Sequence, residues 1–388
     1  PTNIKYFYKS DLVNLKPMQP MEVSPSHILY ILFTSGSTGH PKGVMVTDNN
    51  VEVFINNFSQ FYKLPVGYRA SQTFDLSFDP SVVDTFFTLI NGGELCILNQ
   101  SELLMPFDYI NREKINFWFS VPTLASFIYK MNFLKLNSFP DLKYSLFAGE
   151  PLPKGVTDAW QEAAPNSTIE NLYGPTEATV IIIRYLYKKE SKNRSFTNEI
   201  LPIGRIFNDH SFAIVDEKYK KIKKGGRGQL IIKGKQLAKG YINNIEKTKA
   251  VFRKIPWDKS NEIWYLTGDI AFVNKFEEIE CIGRIDNQLK IAGRRIETSE
   301  IEAALLKSNT LDDLVIVPKK DNNGLIKSLI GFTTSEISDN DKKEIKKNAL
   351  RYIEKLFLPN EIIILKEMPI ISSGKIDRKK LAEMANDY

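Results

Sequence analysis

The sequence predicts an α/β protein in which a parallel sheet is followed by a barrel-like β region and a small α+β domain. Between Tyr30 and Gly174, short β-prone runs alternate with amphipathic helical runs, which is the pattern of parallel βαβ units. Between Ser211 and Ile296, short β runs are separated by glycines and charged turns, which favours a more antiparallel region. The chain has 388 residues, 43% of them hydrophobic, which is too long for one core and ample for two or three.

Each predicted element has its own residue pattern. The strands of the parallel sheet are short apolar runs between turn residues: Tyr30–Thr34, Gly93–Leu98, Ile115–Val121, Lys143–Phe147 and Thr168–Leu172. The helices between them carry apolar residues near i, i+3 and i+4 spacing: Pro80–Ile90, Thr123–Phe133 and Lys154–Ala163. The barrel-like strands are Phe212–Val215, Gln229–Lys233, Ile263–Tyr265, Ile270–Val273, Ile279–Ile282 and Gln288–Ile291. The final stretch has helices at Ser299–Lys307 and Asp339–Leu356 and strands at Leu314–Val317, Leu329–Thr334 and Ile362–Leu365.

Composition and charge argue against several classes of function. The net charge of +6 comes mainly from dispersed lysines, and runs such as Lys220–Lys224 are typical of solvated turns, so no nucleic-acid partner is predicted. Cys96 and Cys281 lie far apart and form no Cys-x-x-Cys pattern, which argues against a disulfide framework or a zinc site. No apolar run reaches the ~18 residues of a membrane span and no signal peptide is evident. We therefore expect no membrane association and a cytoplasmic location.

A glycine- and hydroxyl-rich segment, Thr34–Gly43 (TSGSTGHPKG), directly follows the first predicted strand. Its glycines let the backbone turn tightly and present N–H groups, while four hydroxyls and the Lys42 ammonium suit phosphate oxygens. The spacing does not fit a Walker A loop. The alternative is a flexible linker or a plain strand-to-helix turn, but a linker does not normally place so many hydroxyls and glycines after a buried strand. The segment is therefore predicted to bind phosphate.

Three further segments carry residues suited to ligand binding. Asn171–Glu177 (NLYGPTE) ends a predicted strand, where ligands sit in α/β sheets, and combines an aromatic ring, a tight turn and a carboxylate. Tyr265–Asp269 (YLTGD), followed by Gly283–Asp286 (GRID), offers an acceptor for ribose hydroxyls. Ser372–Arg378 (SSGKIDR) holds a lysine in a glycine turn. Taken singly, ordinary turn chemistry explains the first segment as well as ligand binding does, and explains the other two better.

In this order and spacing, the segments together resemble the adenylation domains of nonribosomal peptide synthetases and of D-alanine–carrier protein ligase. These belong to the adenylate-forming superfamily, which also includes acyl-CoA synthetases and luciferases. The resemblance runs from Ile28 to Lys380 and includes three more segments: Phe78–Ser81 (FDPS), Gly228–Leu230 with Gly240–Tyr241, and Lys290–Glu297 (KIAGRRIE). It implies an enzyme that uses ATP and Mg²⁺ to activate an amino acid as its aminoacyl-adenylate. The product then passes to the phosphopantetheine thiol of a carrier protein, supplied in trans or by a larger chain.

The resemblance also implies a role for individual residues. Lys375, Thr176 and Glu177 are the implied catalytic residues: Lys375 bridges the substrate carboxylate and the α-phosphate, Thr176 contacts the α-phosphate, and Glu177 holds Mg²⁺. Tyr173 is expected to stack on adenine, and Asp269 with Arg284 to bind the ribose hydroxyls. The full set of implied ATP contacts is Thr34, Ser35, Gly36, Ser37, Thr38, Gly39, Lys42, Gly149, Glu150, Asn171, Leu172, Tyr173, Gly174, Asp269, Ile282 and Arg284.

The same resemblance implies two domains joined by a hinge. Residues 1–283 form the large domain, without the N-terminal portion usual in the family, and residues 284–286 form the hinge around Asp286. Residues 287–388 form a small mobile domain. In one orientation this domain brings in Lys375 for adenylation. In the other, the hairpin Lys290–Glu297 lines a tunnel for the pantetheine thiol.

Asp79 matches the position that pairs with the α-ammonium of an amino acid in this family, and the alternative is an N-cap for the helix at Pro80. The implied side-chain pocket is apolar throughout: Pro80, Val83, Phe119, Leu146, Ala148, Leu172, Val180 and Ile181. A small or medium apolar amino acid is therefore predicted. Two other functions stay open: an acyl- or aryl-CoA ligase acting on a simple carboxylic acid, which Asp79 opposes, and a non-catalytic relative that binds nucleotide or a carrier.

Overall fold

The computed structural model of the chain describes residues 24–34, 41–286, 288–308, 310–321, 324–370 and 376–387. Its first strand, β1 (Ile28–Thr34), pairs antiparallel with β2 (Lys42–Thr47). The prediction that this strand joins the parallel sheet is therefore wrong. The connection between the two strands is too short for a parallel crossover, which needs a dozen or more residues. Thr47 then caps helix α1 (Asp48–Ser59), since its hydroxyl accepts a hydrogen bond from the Asn50 backbone N–H.

The predicted parallel sheet is confirmed as the core of a seven-stranded mixed sheet. Its strands are β3 (Arg69–Gln72), β4 (Glu94–Ile97), β5 (Phe117–Ser120), β6 (Tyr144–Ala148), β7 (Thr168–Tyr173), β8 (Ile183–Leu186) and β9 (Arg205–Ile206). They lie in the order β4-β3-β5-β6-β7-β8-β9. Strands β3 to β7 are parallel, β8 is antiparallel to β7, and the edge strand β9 is antiparallel to β8. The carboxyl ends of β6 and β7 are therefore neighbours.

Helical segments connect the strands of this sheet. They are a π-helical turn (Val83–Phe87) continued by α2 (Thr88–Ile90), then α3 (Gln100–Leu104), α4 (Pro106–Arg112), α5 (Pro122–Lys130) and α6 (Lys154–Ala163). Short 3₁₀ turns follow at Thr176–Ala178, Lys189–Asn193 and Thr197–Glu199. Both faces of the sheet are buried, as expected for parallel strands. Along β5, Phe117 and Phe119 pack into one core while Trp118 packs with Trp160 into another.

The antiparallel region is also confirmed. It comprises β10 (Ser211–Val215), β11 (Gly228–Lys233), β12 (Gly240–Tyr241), α7 (Ile245–Val251), β13 (Phe252–Arg253), β14 (Trp264–Val273) and β15 (Ile279–Arg284). Two predicted strands, Ile263–Tyr265 and Ile270–Val273, are one long strand, β14, because the chain continues extended through the irregularity around Gly268. Strand β12 pairs with β2, which completes a three-stranded sheet with β1. This pairing places Tyr241 beside the start of β2.

The chain after residue 287 forms its own core. It contains the hairpin β16 (Gln288–Ile291) and β17 (Arg294–Glu297), then α8 (Thr298–Leu306), β18 (Val315–Lys320), β19 (Ile326–Thr333), α9 (Asp339–Ala349), a 3₁₀ turn (Lys355–Phe357), β20 (Glu361–Ile364) and α10 (Arg378–Asp387). The segment Gln288–Ile291 thus pairs within this part and not with the barrel-like strands. The apolar clusters of this part contain only residues from 289 onwards. That separation supports the predicted division at 284–286, which stays a prediction.

The described helices are short compared with a membrane span. Helix α9 ends at Ala349, earlier than the predicted Leu356, and the longest described helix is α1 with 12 residues. Within the described residues, none of the helices combines the length and apolar character that a bilayer span requires.

The tight turn after β7 depends on Gly174, which generates a stability prediction. A Cβ atom at Gly174 would lie 2.1 Å from the Val180 carbonyl oxygen, whereas a Cβ at Gly155, in α6, would meet nothing within 4 Å. We expect Gly174→Ala to lower the free energy of unfolding by roughly 1–3 kcal/mol, because backbone must shift. Gly155→Ala should raise it by about 0.5–1 kcal/mol, because a helix favours alanine.

Urea unfolding followed by tryptophan fluorescence measures both effects, since all 4 tryptophans precede residue 284. Equal midpoints for the two variants would contradict the close approach.

Candidate active site

A cavity of about 1190 Å³ opens at the carboxyl ends of β6 and β7, where ligands bind in α/β sheets. The part of the chain before residue 287 forms one wall, and the hairpin β16–β17 with β18 and α10 forms the other. Nine of the predicted ATP contacts line it: Gly149, Glu150, Asn171, Leu172, Tyr173, Gly174, Asp269, Ile282 and Arg284. Residues that lie apart in the sequence thus share one cleft.

A chain of polar contacts fixes Asp269 at one side of the cleft. The Tyr173 hydroxyl donates to Asp269 Oδ2, and Arg284 Nη1 donates to Asp269 Oδ1 at 2.7 Å. A carboxylate has about four acceptor sites, so lone pairs remain for two hydroxyl donors. Arg284 also holds Asp286, through Nε at 2.7 Å and Nη2 at 2.8 Å. The predicted hinge residue is therefore tied to the end of β15 by an ion pair.

The Glu177 carboxylate is fully buried and carries three contacts from other elements. The Tyr241 hydroxyl donates to Oε1 at 2.7 Å, and Arg295 Nη1 lies 3.1 Å from both Oε1 and Oε2. Burial works to raise the pKa of Glu177, but the Arg295 charge and the Tyr241 hydrogen bond lower it overall. The carboxylate is therefore ionised at neutral pH, and its cation comes from the C-terminal part of the chain.

Lys42 lies at the start of β2, next to this buried pair. Its Nζ is 5.4 Å from the centroid of the Tyr241 ring. Burial lowers the pKa of the Lys42 ammonium to about 8, and the positive charges of Arg295 and Lys247 act in the same direction. The nearby carboxylates of Glu177 and Glu297 raise the pKa of Lys42, but they do not cancel this lowering. An anionic phosphate beside Lys42 would relieve this surplus of positive potential.

The hairpin β16–β17 enters the cleft through its tip. The Gly293 backbone N–H donates to Glu150 Oε1 at 2.8 Å, and Glu150 Oε2 accepts a bond from the Thr123 backbone N–H at 3.0 Å. Gly293 has φ +77°, and a Cβ there would lie 2.4 Å from the Val121 side chain. Lys290, from the same hairpin, points its Nζ to 5.8 Å from the Tyr173 ring centroid. This docked hairpin is the arrangement that the resemblance assigns to the thiol step.

Asp79 is buried beside the turn that carries Glu177, and it does not line the cavity described above. The Thr176 hydroxyl interacts with its carboxylate, while Oδ2 has no hydrogen-bond partner within the described residues. Burial raises the pKa of Asp79 to about 7, and the Glu177 charge adds to this effect. The cap position of the helical turn Val83–Phe87 is Val82, so the alternative of Asp79 as an N-cap for the helix at Pro80 stays a prediction.

The residues predicted to line the side-chain pocket come together in one core. Its predicted members are all buried and belong to the apolar cluster on one face of the sheet: Val83, Phe119, Leu146, Ala148, Leu172, Val180 and Ile181. Pro80, the remaining predicted member, is buried as well. Val83, Phe119 and Leu146 have 0% of their surface exposed. The space beside them is therefore small.

A strained turn presents two of these pocket residues, and a residue that the sequence did not single out holds it. Thr179 has φ 55° and Val180 has φ 67°, a left-handed conformation that is rare for a β-branched side chain. The buried amide of Gln236 donates to the Ile181 carbonyl at 2.8 Å, and the Thr179 hydroxyl donates to the Gln236 carbonyl at 2.6 Å. These bonds offset the strain and fix the positions of Val180 and Ile181.

The remaining predicted site residues fall into two groups. Thr34 ends β1 with a buried hydroxyl that has no described partner, and the Asn171 amide donates to the carbonyls of Leu201 and Pro202. Ser35, Gly36, Ser37, Thr38, Gly39 and Lys375 lie outside the described residues. Sequence reasoning missed Tyr241, Lys290, Gly293 and Arg295 as site residues. Their segments were part of the resemblance. The local sequence of one segment, however, does not show which of its side chains contacts the opposite wall of the cleft.

Comparisons with known proteins identify a matching family and similar proteins. The sequence profile of a family described as AMP-binding enzyme matches residues 3–242. The D-alanine–D-alanyl carrier protein ligase of Lacticaseibacillus rhamnosus is 32% identical over 369 residues, which are 92% of this chain and 71% of the relative. The delta-poly-L-ornithine synthetase of Acinetobacter baumannii is 30% identical over 93% of this chain, which spans only 26% of that relative. The Vibrio cholerae adenylation domain AlmE, solved with glycyl-adenosine-5'-phosphate, superposes with a TM-score of 0.83 at 28% identity, covering 94% of this chain and 68% of that chain.

The Glu177–Arg295 pair generates a prediction on hairpin docking. Breaking a buried ion pair on one side costs roughly 3–5 kcal/mol, so Arg295→Ala should lower protection of the Gln288–Glu297 amides against hydrogen exchange about 100-fold or more. Arg294→Ala is the matched control. Arg294 pairs with Glu354 at an exposed position within the C-terminal part, where such pairs contribute ~0–1 kcal/mol. Hydrogen exchange read by mass spectrometry checks both variants, and equal protection would show that the pair does not hold the hairpin.

Proposed function

We propose that this chain, which belongs to the AMP-binding enzyme family, activates a small apolar amino acid with ATP and transfers it to a carrier protein. The observation that carries this proposal is the buried Asp79 carboxylate, which has an unpaired oxygen and lies beside Thr176 in the turn that follows the cleft residue Gly174. Burying such a carboxylate costs free energy unless a cation pairs with it, and the α-ammonium of an amino acid is a cation that can do so. Relatives named as carrier protein ligases support the transfer step.

The proposed reaction has two steps. An oxygen of the substrate carboxylate attacks the α-phosphorus of ATP, a new C–O–P linkage forms, and the bond to pyrophosphate breaks. The thiolate of the carrier's phosphopantetheine then attacks the acyl carbon, a thioester forms, and AMP leaves. Charge spreads over many oxygens in the first step, so catalysis consists mostly of positioning and electrostatic stabilisation. Asp269 is suited to accept the ribose hydroxyls, Lys42 to neutralise phosphate, and Lys375 to bridge the reacting anions.

Glu177 is the residue proposed to hold Mg²⁺. Magnesium usually binds one or two carboxylates together with waters and substrate phosphates, so a single buried carboxylate beside a phosphate site fits the ion. When bound there, the ion would neutralise charge on the phosphates. In the docked arrangement, Arg295 and Tyr241 contact the same carboxylate. Metal binding at Glu177 would therefore compete with Arg295 for the carboxylate, which supports the proposed movement of residues 287–388 about Asp286.

The pocket geometry favours the small end of the predicted substrate range. Val83, Phe119 and Leu146 are closed to solvent, so a side chain near a methyl group in size fits better than a large one. An acyl-CoA ligase acting on a simple carboxylic acid is less well supported, because such a substrate leaves the Asp79 carboxylate unpaired. The carrier protein and its phosphopantetheine, the cytoplasm as the compartment, and the lack of nucleic-acid or membrane partners stay predictions.

The proposed activity predicts amino-acid-dependent exchange of labelled pyrophosphate into ATP. We expect exchange with one or a few small apolar amino acids, including D-alanine among those tested. Lys375→Ala should reduce this exchange at least 100-fold, because the bridging charge is lost. Lys366→Ala, at an exposed position, is the control and should retain wild-type exchange. Exchange with simple carboxylic acids alone would move the protein to the CoA-ligase class, and silence with both, in folded protein, would favour a binding module.

The raised pKa of Asp79 predicts a pH dependence of substrate capture. The carboxyl of the free enzyme has its pKa raised to about 7, so the charged form that binds an ammonium is lost as pH falls below that value. We therefore expect kcat/KM for the amino acid to fall about tenfold per pH unit below about 7. Asp79→Asn should lower kcat/KM at pH 8 by roughly 10–100-fold and abolish this limb. Asp75→Asn, at an exposed position, is the control and should keep the wild-type pH profile. If kcat/KM of Asp79→Asn still falls below about pH 7 as in the wild type, the titrating group is not Asp79.

A further inference from the structure

The loop between β11 and β12 holds the left-handed turn that presents two of the predicted pocket residues. Gln236, in this loop, has 0% of its surface exposed. Its amide nitrogen lies 2.8 Å from the Ile181 carbonyl oxygen and 3.4 Å from the carbonyl oxygens of Ala178 and Thr179. In return, the Thr179 hydroxyl donates to the Gln236 backbone carbonyl at 2.6 Å. One neutral side chain therefore faces carbonyl groups from both ends of the turn.

The loop that carries Gln236 is itself fixed to helix α1. The Asn50 side-chain amide donates to the backbone carbonyls of Lys235 and Leu237, at 2.8 Å and 3.0 Å. Asn50 is buried and takes part in the capping box of α1, in which it and Thr47 bond each other. The residues on both sides of Gln236 are thus anchored to the start of a helix. The position of Gln236 is therefore set independently of the turn that it holds.

Gly174 closes the opposite side of the turn. A Cβ atom at Gly174 would lie 2.1 Å from the Val180 carbonyl oxygen and 2.8 Å from the Ile181 Cα, so the turn packs directly on the backbone after β7. The left-handed φ angles of Thr179 and Val180 are unfavourable for β-branched side chains, so the turn relaxes when its hydrogen bonds are removed. With Gly174 blocking one direction, this relaxation moves Val180 and Ile181 away from it and changes the wall of the proposed pocket.

We infer that Gln236 determines which side-chain size the proposed pocket accepts, an inference that rests on the proposed function. Gln236 is a positioning residue, because it acts through the backbone of Val180 and Ile181. A hydrophobic pocket discriminates between side chains that differ by one methylene about 10–200-fold, provided that its wall does not yield. A neutral amide suits this role, since carbonyl oxygens need N–H donors and no added charge. Without these donors the wall yields and the discrimination falls.

The test measures the selectivity of amino-acid-dependent pyrophosphate exchange. The selectivity ratio is kcat/KM for the preferred amino acid of the wild type divided by kcat/KM for its analogue with one more methylene. Gln236→Met keeps the approximate size of the side chain and removes its donors, so it should lower this ratio roughly tenfold. Gln161→Met is the matched control, because the Gln161 amide, in α6, also donates to two backbone carbonyls, those of Ala164 and Ser167, both at 3.1 Å. It should lower the unfolding midpoint but keep the wild-type ratio.

Thr179→Val is a second variant, because it removes the bond to the Gln236 carbonyl and keeps a β-branched side chain. It should lower the selectivity ratio in the same direction, and its ratio serves as the test if Gln236→Met does not fold.

The outcomes separate this inference from the proposed function. An unchanged ratio in folded Gln236→Met would overturn the inference and leave the proposed function standing. An equal fall of the ratio in Gln161→Met would overturn it as well, because a general loss of stability would then explain both variants. A folded wild type that shows no exchange with any amino acid would overturn the proposed function and the inference together.

Discussion

The buried carboxylate of Glu177 is the constraint on which the rest of the site depends. A fully buried carboxylate that stays ionised needs a cation and hydrogen-bond donors, because its desolvation is otherwise costly. Tyr241 supplies one donor from the short sheet that packs β12 against β2, and Arg295 supplies the cation from the hairpin of the C-terminal part. One charge therefore ties together three elements that are distant in the sequence. The hairpin is held in the cleft by this pair and by the Gly293–Glu150 hydrogen bond.

The same carboxylate gives the proposed catalytic cycle a physical basis. A magnesium ion at Glu177, as proposed above, would compete there with Arg295, which contacts both carboxylate oxygens in the docked arrangement. Without a metal ion, Glu177 needs another cation, and the Arg295 guanidinium of the hairpin supplies it. The charge of this one buried group thus supports the proposed order of the two half-reactions. Asp286, the predicted hinge residue, is held by Arg284.

The proposed substrate end of the site differs, because it contains polar atoms without hydrogen-bond partners inside a closely packed apolar cluster. Asp79 and Tyr30 each keep an unpaired oxygen, while the surrounding pocket residues are closely packed. The left-handed turn at Thr179 and Val180 would relax without support, and the buried amide of Gln236 supplies that support. Strain and unpaired polar atoms are thus concentrated where a ligand is expected, and neighbouring hydrogen bonds maintain them.

The sequence by itself determined the alternation of strands and helices from β5 to α6, because hydrophobic periodicity there is local and strong. Through the family resemblance, it also predicted ligand binding at the turns after β7 and at Asp269, and an apolar pocket. It misplaced β1, because only the pairing with Lys42–Thr47 decides to which sheet that strand belongs. Likewise, Gln288–Ile291 looks like any other β run until its partner Arg294–Glu297 is known. Tertiary structure alone decided that Arg295 meets Glu177 and that Gln236 holds the strained turn. The residues in these contacts lie 118 and 57 positions apart in the sequence, and no local pattern encodes such meetings.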